Sequence, residues 1–148
     1  MAAALGDVPL ILKIGLFRNA DQAAEFAAAV RGHAAALSTT NSISATVSMA
    51  AGEAGFGGST RGIGGECIRA RCLAEVAMLA SVARREAPAL RLIGVGGIFS
   101  AQDVCRRLAA GAHHVQIATA AMLDPMVAIR IRKQLATGLD GDGIQRTA

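Results

Sequence analysis

The sequence predicts an α/β fold in which parallel strands alternate with covering helices. Three observations carry that reading. Four short β-prone apolar runs recur along the 148 residues, each leading into a stretch with helical periodicity. The runs are apolar almost throughout, as in strands buried on both faces of a parallel sheet, and do not alternate as half-wet antiparallel strands do. A bare glycine pair, Gly96-Gly97, stands between the third run and a helix start.

In chain order, Leu10 to Ile14 (LILKI) reads as the first strand. Asn19 or Asp21 then caps a helix that buries Phe26, Ala27 and Val30 and stops at Gly32. A second strand spans about 34–39. The Gly/Ser/Thr-rich segment 42–65 has little apolar periodicity and is too long for an ordinary connection, so it reads as a lid-like loop, mobile or disordered. The next helix carries Ile68, Leu73, Val76, Leu79 and Ala83 on one face and ends at Pro88. The third strand, Leu92-Ile93-Gly94-Val95, runs through the glycine pair into a helix begun by Ser100. Ser100 and Asp103 have capping-box spacing, Val104 and Leu108 form the buried stripe, and Gly111 is the stop. A fourth strand at about 114–118 precedes Asp124-Pro125, which supply an N-cap and a proline at N1 for a last helix with the stripe Val127, Ile131 and Leu135. Residues 1–137 thus read as one domain, and the glycine-rich, polar 138–148 as a flexible tail.

Composition removes several classes of function. The net charge is +4, but the arginines are scattered along helices without aromatic neighbours, which is the pattern of a solvated surface and not of a nucleic-acid footprint. The hydrophobic fraction is 53%, much of it alanine, and no apolar run reaches the length of a membrane span. No signal-peptide pattern opens the chain. Three cysteines, an odd number, fit a reducing cytoplasm better than a disulfide framework. Cys67, Cys72 and Cys105 read as packing residues, since the first two lack metal-ligand spacing. His113 and His114 have no carboxylate or cysteine in sequence reach and read as structural, so no metal is expected.

Two architectures satisfy the repeat. A doubly wound sheet would be complete at this length, whereas a (β/α)₈ barrel needs eight such units and this chain has half of them. Periodicity does not choose. The glycine signal points toward the barrel, because Gly94-Val95-Gly96-Gly97 lacks the third glycine of the dinucleotide fingerprint and no acidic residue ends the following strand. A strand passing through bare glycines into a helix N-terminus suits an anion, since ligand can approach backbone N–H groups. Ala118-Thr119, after the fourth strand, is a second candidate cradle. The structural alternative for Gly96-Gly97 is a tight strand–helix turn.

The ordered motifs LILKI, TTNSI, RGIGGECI, IGVGGIFSAQDV and GAHHVQIATA resemble the C-terminal half of the dihydroorotate dehydrogenase family, and dihydropyrimidine dehydrogenase is similar too. The resemblance runs from about Val8 to Leu135. It implies a parallel (β/α) half-barrel corresponding to strands 5–8 of a TIM barrel, with FMN as cofactor. It further implies that Lys13 contacts the flavin ring, where a cation stabilises the anionic reduced form. Asn41 and Ser42 match a polar pair that hydrogen-bonds the pyrimidine substrate, an edge suited to an amide with both donor and acceptor. Gly64 and Gly65 match glycines close to the cofactor, although Arg61 replaces a family glycine and Arg69-Ala70 stand where Lys-Pro or Arg-Pro is common. Gly96-Gly97 and Ala118-Thr119 match the two phosphate loops, with Ala118 in place of a glycine. On the residues alone, Lys13 also reads as a solvated strand-end lysine and Asn41-Ser42 as a turn.

In that family a hydride passes between a dihydropyrimidine carbon and flavin N5, while a loop cysteine or serine from the first half of the barrel moves the neighbouring proton. No residue here matches that base, so no catalytic acid–base group is expected in this chain. The implied function is the phosphate-bearing half of a flavin-dependent dihydroorotate dehydrogenase-like oxidoreductase; the alternative is a non-catalytic phosphate- or flavin-binding half-barrel or a truncated relic. Four barrel strands leave two open edges and an inner face of Val, Ile and Leu, which predicts association, as a homo-oligomer or with a separate N-terminal-half chain.

Overall fold

A computed structural model of the chain describes residues 6–49 and 52–138. The predicted tail therefore lies, from residue 139 on, outside the described residues. Strand β1 (Ile11–Ile14) is followed by α1 (Ala20–Val30), β2 (Ala36–Thr39), β3 (Ile43–Thr46), β4 (Thr60–Ile63), α2 (Arg69–Glu86), β5 (Arg91–Val95), α3 (Ala101–Ala109), β6 (His114–Gln116), α4 (Thr119–Leu123) and α5 (Val127–Thr137). The main sheet is parallel throughout, in the order β1-β2-β5-β6. Each new strand is added on the same side as the last. A doubly wound sheet must reverse that direction once, whereas a barrel never does, so the strand order settles the architecture as half of a (β/α)₈ barrel.

Parallel register places Leu12, Ile14, Leu37 and Leu92 on one face of the sheet. There they pack with Ala23 and Ala27 of α1 and Leu79, Ala80 and Val82 of α2. A second cluster joins Val104 to Val115, Ile117, Ala120, Val127 and Ile131. The opposite face carries Ile11, Lys13, Ala36, Ser38, Ile93, Val95, His114 and Gln116. Among these, only Ala36, Ile93 and Val95 form a buried apolar group, and Ser38 Oγ donates to Gln116 Oε1 at 2.9 Å. The expected wall of Val, Ile and Leu is therefore corrected to a mixed surface. Exposed large apolar side chains stand at both ends of the sheet, Val8 and Ile11 at β1 and Met122, Leu123, Met126 and Ile129 after β6, and others, Met49 and Phe56, lie between β3 and β4.

Local signals decide where helices start. Asn19, not Asp21, caps α1, its Oδ1 accepting from Gln22 N at 3.0 Å. Ser100 and Asp103 form the reciprocal capping box of α3. Asp124 does not open α5. Its Oδ1 accepts from Met126 N at 2.9 Å and its carboxylate pairs with Arg130, so its turn precedes a helix beginning at Val127. The fourth strand ends at Gln116, two residues short of expectation, because the chain turns into the short α4.

The lid-like reading of 42–65 gives way to an antiparallel hairpin, β3 against β4, with Ile43 opposite Ile63 and Thr46 opposite Thr60. Strand β3, ISAT, alternates apolar Ile43 and Ala45 with polar Ser44 and Thr46 over only four residues, and β4, TRGI, shows no such alternation, so the pair carried little apolar signal. Leu108 is a further correction, at 42% exposed against 1% for Arg107. The buried face of α3 is centred on Val104 and Arg107, and Leu108 falls at its margin. Gly94 lies beneath that face, where a Cβ would stand 2.7 Å from Arg107 Cδ; the absent side chain makes room for the arginine stem.

Candidate functional site

At the carboxyl ends of β5 and β6, where barrels place their sites, a cleft of about 50 Å³ opens between three turns. One water needs roughly 10–15 Å³ on such a measure. The cleft therefore takes a group of a few heavy atoms, the size of a phosphoryl, and a fused ring system would lie outside it. Its lining includes Asn41, Gly64, Gly65, Gly96, Gly97, Ala118 and Thr119. Seven of the nine residues singled out from the sequence thus meet in one place.

The remaining two stand apart. Lys13 is exposed on the inner face of β1, level with Ser38 and Ile93 in the neighbouring strands. Ser42 is turned toward the hairpin: a Cβ on Gly62 would come within 2.9 Å of its Oγ.

The glycines have a different reason from the one expected. Gly96 and Gly97 both have left-handed backbones, with φ of 95° and 68°. A Cβ on Gly96 would lie 2.8 Å from Cys72 Sγ, and one on Gly97 would lie 2.6 Å from Arg69 Cβ. The space left by their missing side chains is filled by the start of α2 and not by the cleft. Ligand approach is not what demands glycine here; the close seat of α2 is. Gly64 and Gly65 likewise border Thr119, whose Cγ2 would be 3.4 Å from a Cβ on Gly65. Ala118, with φ of −120°, needs no glycine.

Backbone donors remain for a ligand. The N–H groups of Gly97, Ile98, Thr119 and Ala120 reach no acceptor among the described residues. All four residues line the cleft, which has no titratable side chain in its lining. Its polar character comes from these amides and from Asn41, Gln116 and Thr119.

Behind the glycine pair lies a group of charges, of which Asp103 was expected only as a helix cap and Arg107 only as surface. Arg107 Nη2 donates to Gly96 O at 2.7 Å, and Arg69 Nε donates to Gly97 O at 2.9 Å. Arg69 also pairs with Asp103 at 3.0 Å and with the exposed Glu66 at 2.9 Å. Asp103 Oδ2 accepts from Phe99 N, Ser100 N and Ser100 Oγ. Burial draws the Arg107 guanidinium below its ordinary pKa, with the neighbouring Cys72 and Asp103 opposing that shift. Burial likewise pushes the Cys72 thiol up, so it is a neutral packing group at neutral pH. Cys72 is thus a core residue as expected. Cys67 is not: it is exposed, with its Sγ 3.4 Å from Gly64 O, and Cys105 is half-buried. The available signal for Arg107 was its place three residues after Val104 on the apolar side of a capped helix.

His113 bridges the last two strands. Its Nδ1 accepts from Leu92 N at 3.1 Å while its own N–H donates to Leu92 O at 2.8 Å. Desolvation, then Arg91 and His114, holds its pKa below the ordinary value, in keeping with an accepting nitrogen.

A four-strand parallel arc with a small cleft at its carboxyl rim defines the chain as half of a (β/α)₈ barrel. A family model described as dihydroorotate dehydrogenase matches residues 2–139. The chain belongs to the dihydroorotate dehydrogenase family. It is 32% identical over 146 residues to a dihydroorotate dehydrogenase A (fumarate) of Limosilactobacillus reuteri, covering 97% of this chain and 45% of the relative. It is 31% identical over 128 residues to a dihydroorotate dehydrogenase of Dictyostelium discoideum, covering 84% of this chain and 35% of the relative. Among solved structures it resembles a dihydroorotate dehydrogenase from Eimeria tenella in complex with ferulenol. There the TM-score is 0.69 at 21% identity, over 87% of this chain and 34% of that one. The chain therefore spans a third to somewhat under half the length of these relatives.

Proposed function

We propose that the cleft holds the phosphate of FMN and that this chain is the phosphate-bearing half of a flavin-dependent dihydroorotate or dihydropyrimidine dehydrogenase. One observation carries the reading: four free backbone N–H groups from two successive strand–helix turns border one cleft of phosphoryl size. Such amides suit a dianion because they offer donors without bringing a counter-charge that must be desolvated. When bound, the flavin supplies the two-electron acceptor for oxidation of a saturated pyrimidine ring. The chain's own residues bind and orient. Gly97, Ile98, Thr119 and Ala120 donate to phosphate, Lys13 offers a cation on the inner face near the ring, and Asn41 offers an amide at the rim to a carbonyl/N–H edge of the substrate.

The lining binds but does not exchange protons, since it has no titratable side chain. Turnover on this reading draws its acid–base group from four further strand–helix units, in a partner chain or in a longer protein. The open edge beside β6, with Met122, Leu123, Met126 and Ile129 exposed, is the surface such a half would cover.

Titrating the full chain with FMN and with riboflavin, followed by flavin fluorescence, tests the phosphate claim. FMN is expected to bind at least tenfold tighter, and equal affinities would overturn it. A Lys13→Ala protein that holds FMN as tightly as its parent would remove the ring contact alone. Bleaching of bound flavin by dihydroorotate separates an active half from a binding-only one.

A further inference from the structure

We infer that Arg107 and Arg69 are positioning residues of the cleft: two guanidinium groups behind the Gly96-Gly97 turn hold both glycine carbonyls back and so present the N–H groups of Gly97 and Ile98 to a phosphate dianion. The inference rests on the phosphate reading above and adds to it the residues that set the geometry of the donors.

The peptide units from Gly96 to Ile98 are trans. In a planar trans unit the C=O and the following N–H point in opposite directions. Fixing Gly96 O on Arg107 Nη2 and Gly97 O on Arg69 Nε therefore fixes the next two N–H groups the other way. Neither arginine lines the cleft, whereas Gly97 and Ile98 both do. Two consecutive glycines left to themselves would flip these units readily, and a flipped unit turns a carbonyl oxygen onto the dianion. Charge-assisted hydrogen bonds are about twice as strong as neutral ones, and a turn held before binding does not spend ligand affinity on being ordered.

The two arginines differ in environment. Arg69 is one-third exposed in its side chain and shares its charge with Glu66 and Asp103. Arg107 is 1% exposed, and its Nε and Nη1 meet no acceptor among the described residues. Burying a cation with two idle donors is costly unless its remaining contact matters. The one hydrogen bond its guanidinium makes among the described residues is to the carbonyl of Gly96. Gly94 is the matching concession in the strand, since any side chain there would occupy the space of the Arg107 stem.

The test is an amide-resolved NMR titration of the full chain with inorganic phosphate and with FMN. In the parent, the Gly97 and Ile98 amide signals are expected to move on addition of phosphate. Arg107→Met, which keeps the stem and removes the donors, should raise the phosphate dissociation constant about tenfold, equivalent to about 1.4 kcal/mol, and abolish those two shifts. Arg107→Lys should restore part of both, because one charged donor returns to Gly96 O. A merely structural arginine would lower the melting temperature but leave the bound-state amide shifts in place. Arg107→Met protein with parental affinity and parental shifts would overturn the inference while leaving the phosphate reading intact. If that variant does not fold, Arg69→Met carries the same measurement, and unchanged binding there overturns the inference equally. A parent whose amides respond to neither phosphate nor FMN would sink the phosphate reading itself.

Discussion

The two turns that form the cleft are held in opposite ways. The Gly96-Gly97 turn is fastened from behind by three side chains, Arg107, Arg69 and Asp103, and by the seat of α2 against both glycines. The Ala118-Thr119 turn has no side-chain cap, leads into a helix of five residues, and is followed by Met122 and Leu123 at 84% and 75% exposed. One side of the cleft is complete within this chain; the other lies at the open edge of the sheet. The lesson is that the two turns of one cleft need not be held alike. The turn facing the core is fastened by side chains, and the turn at the open edge of the sheet is not.

The sharpest way to break that contrast is to substitute each turn at its tightest point. Gly97→Ala should cost about 1–2 kcal/mol for the left-handed backbone plus roughly 1–3 kcal/mol for forcing a methyl onto Arg69. Urea unfolding reads the loss, and FMN affinity should fall with it. Ala118→Gly, by contrast, should cost roughly 0.4–1 kcal/mol through the unfolded chain and leave FMN affinity within a few-fold. Equal tolerance at the two positions would erase the contrast.

Asp103→Asn comes next. It removes the charge paired with Arg69 and weakens acceptance from Phe99 N and Ser100 N, a loss of roughly 1–3 kcal/mol for a buried acceptor. Denaturant midpoints measure it, and a neutral outcome would mean that the turn is held by α2 alone. At the open edge, Met122→Ser with Leu123→Ser should leave stability within about 0.5 kcal/mol while reducing self-association in light scattering. Unchanged association would show that this strip is not the contact.

The smallest effect concerns the seam between the two sides. His113 accepts from Leu92 N only when Nδ1 is unprotonated, and its pKa is held down in the folded chain. Its contribution is therefore present above the ordinary histidine value, near 6.5, and is lost as pH falls through the lower folded value. The melting temperature should drop slightly on acidification over that window, and His113→Asn should flatten the dependence. A parent and variant with parallel pH profiles would remove His113 from the seam.

Much of the fold was legible because its signals are local. The capping box, the helix stops and the apolar runs depend on residues within a turn or two of one another, so Ser100-Asp103 and the first three parallel strands stand where they were expected, and the fourth is two residues shorter. The hairpin at 43–63 escaped because the apolar/polar alternation of β3 spans only four residues and β4 has none. Arg107 escaped for another reason: its burial depends on the void at Gly94, and that void exists only once β5 and α3 are stacked.

Read alone, the chain determined its strand–helix alternation, its family motifs and the identity of the residues destined for the cleft. Tertiary structure alone decided that seven of those nine converge, that Lys13 and Ser42 stand apart, and that two arginines back the glycine turn. The division has a physical cause. Backbone preferences act between neighbours in sequence, whereas convergence on one cleft requires distant turns to be brought to the same rim by the sheet.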